Sequence, residues 1–251
     1  MVRVSWRLWI LATVIAGGVV GAFWLSPIAQ DPTYHEFSDR RALAGIPNFW
    51  NVFSNLPFVL VGAFGLTRAF DLSRSASRTA YLILCIGVIF VGFGSAYYHY
   101  GPSTSTLLWD RLPMAVAFMA LFSLVVSDRV SERLGGVMLW PLIFAGVASV
   151  GYWYWSELQG RGDLRAYGVV QFLPVVLIPL MLLLYRGQGL SAPLLWGTLV
   201  MYALAKSAEH FDQIIYESIR FLSGHSLKHL LAAIAVLWAV ISVPQSNYDE
   251  P

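Results

Sequence analysis

Ser223 to Trp238 reads SGHSLKHLLAAIAVLW. From Leu230 onward the run is suited to lipid, yet His225 and His229 stand at its mouth, four residues apart. On an α-helix that spacing puts both imidazoles on one face. The whole stretch 224–243 is long enough to cross a bilayer core, which takes about 20 apolar residues. Seven similar stretches precede it, at 7–29, 48–70, 78–100, 107–127, 135–155, 166–185 and 191–210. The links between them are short and hold most of the Arg, Asp, Gly and Pro, as in DLSRSASR, YGPSTST, SDRVSERLGG, SELQGRGDLR and YRGQGLSAP.

Composition agrees with that layout. The 251 residues are 57% hydrophobic and 12% charged, whereas soluble domains carry about 25% charge. Ten Trp, twelve Tyr and a mean hydropathy of +0.64 point the same way. No segment alternates polar and apolar residues between turns, so a β-barrel is disfavoured. A helical bundle satisfies every backbone group within lipid. The sequence therefore predicts an all-α polytopic membrane protein. Cys85 is the single cysteine, which excludes an intrachain disulfide and a cysteine-based metal cluster. The net charge of +2 and scattered basic residues give no footprint for nucleic acid.

Residues 1–30 read as an N-terminal transmembrane helix or signal anchor, 31–47 as an extramembrane linker, 48–243 as the core and 244–251 as a polar tail. A cleaved signal peptide is the alternative for the first stretch. A retained helix is preferred, because the apolar run is long for a signal and the small-residue site near Ala29 is poor. Eight spans put both termini on one side. Lys and Arg divide equally, eight to each side, so raw count does not orient the bundle. The basic start (Arg3, Arg7) and the cluster Arg68, Arg74, Arg78 favour cytoplasmic termini.

All five histidines, His35, His99, His210, His225 and His229, fall on the side opposite the termini. Asp110 opens the fourth span there, and Ser95 lies one turn before His99. His225 and His229 can share one cation, and His99 would complete a three-histidine set with an open fourth position, the pattern of catalytic zinc. Asp110 is then placed to carry a proton and Ser95 to steady a developing oxyanion. Ionisable groups in membrane segments are costly and are commonly functional. Other readings stay open at this point: haem ligation by two histidines, plain interfacial side chains for His35 and His210, and an Asp110–Arg111 ion pair. Lys206 and Glu209, three apart, form a candidate pair supporting the site, and Asp212 belongs either with them or to a solvated helix end.

The set Ser95-x3-His99, Asp110 and Gly224-His225-Ser226-x2-His229 resembles the alkaline ceramidases, within a superfamily of seven-helix membrane hydrolases that includes the adiponectin and progestin receptors. IPNFWNVFSNLPFVLVG, residues 46–62, is similar to the start of that family's first core helix. The resemblance runs from about residue 47 to 243. It implies a seven-transmembrane-helix core with one extra N-terminal transmembrane helix. It also implies zinc on His99, His225 and His229, with Asp110 as proton shuttle and Ser95 beside it. The implied reaction cleaves ceramide, or another long-chain N-acyl lipid, into a fatty acid and an amine. The substrate would be a membrane lipid, and no protein partner is implied. The family's eukaryotic members carry a calcium site near the first core helix. Asp39 and Asn48 are its candidate remnants here, the acidic pattern is not reproduced, and calcium dependence stays open. The compact chain with minimal loops suggests a bacterial member, in the inner membrane with the zinc site on the periplasmic side. A zinc-containing seven-helix receptor or binding protein without turnover is the competing function.

Overall fold

Long apolar runs fold as helices, even with Pro113, Pro141, Pro174 and Pro179 inside them, because lipid offers no other partner for backbone N–H and C=O groups. The computed structural model describes residues 5–72 and 76–244. Arg3, Arg74 and the tail from residue 245 on lie outside the described residues. The helices are α1 (Trp6–Trp24), α2 (Phe49–Phe53), α3 (Leu56–Arg68), α4 (Ala76–Tyr100), α5 (Thr104–Arg129), α6 (Glu132–Leu158), α7 (Arg165–Leu184), α8 (Ala192–His210), α9 (Asp212–Ile219) and α10 (Gly224–Ile241). Short 3-10 turns lie at Pro32–His35 and Ala69–Asp71. An isolated bridge, Leu43 with Ile46, is the β pairing among the described residues.

Seven spans are long and apolar enough to cross a membrane, the N-terminal one included. This makes the chain an integral membrane protein of the all-helical class. The remaining long helix, α8, has 19 residues but is less apolar, because its last turns carry Lys206, Glu209 and His210. It packs along α10.

The second span is broken where the sequence suggested one helix. Ser54 and Asn55 separate α2 from α3, and Pro57 lies in the first turn of α3. Proline has no N–H to donate, so it fits a first turn and interrupts a helix interior. The break turns Asn51, Ser54 and Asn55 inward, and all three are buried. The short helix α9 was not expected from the sequence.

The most enclosed span is α5, with 67% of an 18-residue apolar stretch buried, and α1 is the least, with 6%. α5 packs on α4 and α6, while α1 lies against α7 and buries only Leu11. The six spans from Phe49 on, together with α8, thus form the bundle, and α1 is a peripheral addition. Two close approaches fix the polar end. A Cβ at Gly94 would lie 2.0 Å from the Trp109 carbonyl oxygen, so α4 and α5 touch backbone to backbone there. A Cβ at Gly224 would lie 2.2 Å from the Ala208 carbonyl oxygen, which presses the start of α10 onto the end of α8.

Candidate metal centre and cavity

Those two contacts bring together residues far apart in the chain. Gly94 places Ser95 beside Asp110, within hydrogen-bonding reach of its carboxyl. Gly224 places the start of α10 over Asp212, whose Oδ1 accepts from the His225 backbone N–H at 2.6 Å. A carboxylate at a helix N-terminus also meets the positive end of the helix dipole. Asp212 accepts from the Ser38 N–H through Oδ2 at 3.1 Å, so it ties the linker to α10.

His99, His225 and His229 converge, with one ligating atom from each lying within 4.8 Å of the others. All three are buried. The Nε2 atoms of His99 and His225 face each other at 3.3 Å. Two ring nitrogens that close, away from water, need a shared proton or a cation between them. Zn–N bonds of about 2.0–2.1 Å in a tetrahedron put neighbouring nitrogens about 3.3–3.4 Å apart, which this pair matches. The widest separation, 4.8 Å, exceeds that edge.

Ser54 Oγ has one proton to give. Spent on the Asn51 carbonyl at 3.2 Å, it leaves the oxygen to accept from His229 Nδ1 at 2.7 Å. The proton of His229 then sits on Nδ1, and Nε2 keeps the lone pair a metal needs. Asn51, fully buried, braces this corner. Its Oδ1 accepts from Ser226 Oγ at 2.7 Å, and its Nδ2 donates to the Asp39 carbonyl at 3.0 Å. The donor set, its enclosure and this orientation all fit a zinc ion.

A cavity of about 350 Å³ opens beside the histidines. Ser95, Asp110, Arg111, His229, Lys206, Glu209 and Lys228 line it, and most of the remaining wall is apolar side chains from α3, α4, α5, α7, α8 and α10, with Tyr34, Tyr167, Gln171, Thr198 and Tyr202 among them. The charges are linked. Glu209 pairs with Lys206 and, at 2.8 Å, with Lys228. Lys228 Nζ also lies 3.2 Å from His225 Nε2.

The linker 31–47 folds back over this end. The Phe37 ring lies 4.7 Å from that of His99 and 4.6 Å from that of His225, centroid to centroid. His35 bridges Tyr98 Oη at 3.0 Å and Thr104 Oγ1 at 3.3 Å, and burial pushes its pKa below the usual histidine range. Asp39 is held by both arms of Arg41 at 2.7–2.9 Å, and Asn48 donates to the His99 carbonyl at 2.9 Å. Both candidate calcium residues thus have other partners, and among the described residues no second group of three His, Cys, Asp or Glu side chains converges.

His210 stays exposed against the Phe211 ring. The alternative Asp110–Arg111 ion pair does not form. Arg111 packs instead on Trp153, 4.2 Å from its Cζ to the ring centroid, and donates to Gln30 Oε1 at 2.6 Å. Sequence reasoning gave no role to Lys228, Phe37, Asn51 or Ser54. Lys228 sits between the two histidines in GHSLKH, and Asn51 and Ser54 lie in FWNVFSN, so these three adjoin motifs already singled out, whereas Phe37 does not.

Comparison with known proteins identifies a family. The family model described as Ceramidase matches residues 41–248. Human alkaline ceramidase 1 is 24% identical over 195 residues, covering 78% of this chain. The match spans 60% of the human protein's length. Because this family model matches most of its length, the chain belongs to the ceramidase family.

Proposed function

We propose that the chain is a zinc-dependent intramembrane amide hydrolase that cleaves ceramide or a related long-chain N-acyl lipid into a fatty acid and an amine. The observation that carries this is the convergence of His99, His225 and His229, the last of which lines the polar end of a largely apolar cavity. Zinc on these imidazoles would supply Lewis acidity and bring a water's pKa to about 7.

The chain's own residues supply the rest. The apolar wall takes the acyl chain and sets the amide at the polar end. Asp110, on that wall, accepts a proton from the attacking water and returns it to the departing nitrogen. Ser95 orients the Asp110 carboxyl through their contact. Phe37 closes the histidines from outside, and Ser54 holds His229 in its ligating tautomer. Water adds across the C–N bond: hydroxyl goes to the acyl carbon and hydrogen to the nitrogen.

The test is metal content of the detergent-purified chain beside a His225→Ala control, with fatty-acid release from N-acyl lipids followed by mass spectrometry. About one zinc per chain, lost in the variant together with release, is the expected result. Zinc and retained lipid without product would turn the reading to a binding protein. Folded protein without zinc, never exposed to chelator, would remove its basis. For orientation we place the termini in the cytoplasm of a bacterial cell and the site on the periplasmic face, from the basic residues at Arg68–Arg78. A C-terminal reporter active only in the periplasm would overturn that placement.

A further inference from the structure

Five charged side chains line the cavity: the cations Arg111, Lys206 and Lys228, and the carboxylates Asp110 and Glu209. Glu209 is shared between the two lysines. Arg111 has no carboxylate within ion-pair distance among the described residues. It is 6% exposed, and its Nη1 meets no acceptor among them. Three rings hold it, those of Trp153, Tyr167 and Tyr34, at 4.2, 5.0 and 5.5 Å from Cζ. Ring faces offset part of the cost of burying a cation, but a guanidinium also calls for planar, bidentate acceptors. A buried, unpaired Arg with an idle N–H is expensive, and here it forms part of the wall of a ligand cavity. Adjacent in sequence to Asp110, it stands next to the reacting end.

We propose that Arg111, assisted by Lys228, recognises an anionic group on the substrate, so that the lipid cleaved is an N-acyl lipid whose amine portion carries a carboxylate, sulfonate or phosphate. This rests on the hydrolase reading and narrows it. The net positive lining attracts such a head group, and the apolar lining takes the acyl chain. A neutral amino-alcohol head group offers the guanidinium only hydroxyl oxygens, weaker acceptors than an anion.

The experiment compares kcat/KM of the zinc-loaded full-length chain for two lipids of equal acyl length: an N-acyl amino acid and a neutral ceramide. A hydrogen bond to a charged group is worth about 1.5–3 kcal/mol, so the acidic lipid is favoured by about tenfold or more. Arg111→Met brings the ratio close to one, mainly through KM, Arg111→Lys restores part of it, and Lys228→Met lowers it less. Equal kcat/KM for the two lipids in the wild type overturns the proposal and leaves hydrolysis intact. An equal fall for both lipids in Arg111→Met, with a lower melting temperature, makes Arg111 a structural brace and also overturns it. If Arg111→Met weakens inhibition by free fatty acid without changing the substrate ratio, the anion is the product carboxylate and the head-group assignment falls. If neither lipid is cleaved, retention of the N-acyl amino acid by wild type but not by Arg111→Met keeps the anion site and discards hydrolysis; equal retention discards both.

Discussion

The bundle has charged residues at both ends, and their hydrogen bonds close differently. At the end opposite the histidines, Asp128 Oδ1 accepts from the N–H groups of Gln188, Gly189 and Leu190 at 2.6–3.1 Å. Arg129 pairs with Asp128 at 2.8 Å and donates to the Leu190 carbonyl at 2.8 Å. Arg68 donates to the Val243 carbonyl at 2.9 Å, and Arg78 to that of Ala69 at 3.1 Å. These charges finish on backbone and tie loops to helix ends. At the histidine end, side chains meet side chains: His99 with His225, His229 with Ser54, Lys228 with Glu209. Buried polar groups in native proteins are normally paired. Both ends hold buried side-chain atoms without a hydrogen-bond partner, His99 Nδ1 and Arg111 Nη1 at one, Arg68 Nε and Tyr185 Oη at the other, and of these residues Arg111 alone lines the cavity. The two ends are alike in basic residue count and differ in where the bonds end.

Substitutions can break that contrast. Asp110→Asn is expected to lower turnover by about 10²–10⁴-fold, the range for a lost general acid–base, with zinc content and melting temperature unchanged. Normal turnover in the variant would remove the proton-shuttle role. Asp128→Ala should do the reverse. Breaking a buried pair costs about 3–5 kcal/mol, and both members are nearly buried. Its thermal midpoint should fall while the folded fraction keeps wild-type zinc stoichiometry. Loss of zinc there would mean the two ends are coupled. Ser54→Ala is a smaller change at the histidine end. Removing a partner that orients a metal-bound imidazole costs about 10–100-fold in metal affinity, read by competition with a chelator; unchanged affinity would show that His229 is held by packing alone.

Much of this was legible in the sequence because two kinds of pattern are local. Apolar runs gave the spans, and i, i+4 spacing put His225 with His229 and Ser95 with His99. Up-down alternation brought Asp110 to the same depth. What was not legible depends on contacts with no period. Nothing in DPTYHEFSD marks it as a flap whose Phe37 rests on two histidines. Pro57 was visible, but its effect, turning Asn51 and Ser54 inward, needs the packing of α2 on α4 and α10. Lys228 read as one more basic residue, because its partner Glu209 comes from another helix. The break between α8 and α9 was hidden because the solvated end of one helix reads like the start of another.

Asp163 sharpens the contrast, since it lies at the histidine end and yet its arginine partner ends on a backbone carbonyl, as Arg129 beside Asp128 does at the far end. It receives Arg165 through Nε at 2.9 Å and Nη2 at 2.8 Å, the Arg165 backbone N–H at 3.0 Å, and Tyr152 Oη at 3.0 Å. Arg165 passes on to the Leu25 carbonyl at 2.6 Å, which pins the end of α1 to the bundle. By the rule of where bonds end, Asp163 is structural. These donors, Arg165 first, pull its carboxyl pKa down to about 2. A carboxylate with a depressed folded-state pKa contributes its stability fully above its unfolded value of about 3.9 and loses it as pH falls through the folded value. Asp163→Asn should therefore melt lower than wild type at neutral pH, and the two curves should converge between about pH 4 and pH 2. Zinc content at neutral pH should be the same in both. A gap that persists at pH 2 would mean that the loss comes from packing and not from the carboxylate's charge. Loss of zinc in the variant would break the rule itself, because a charge closed on backbone would then be supporting the metal site.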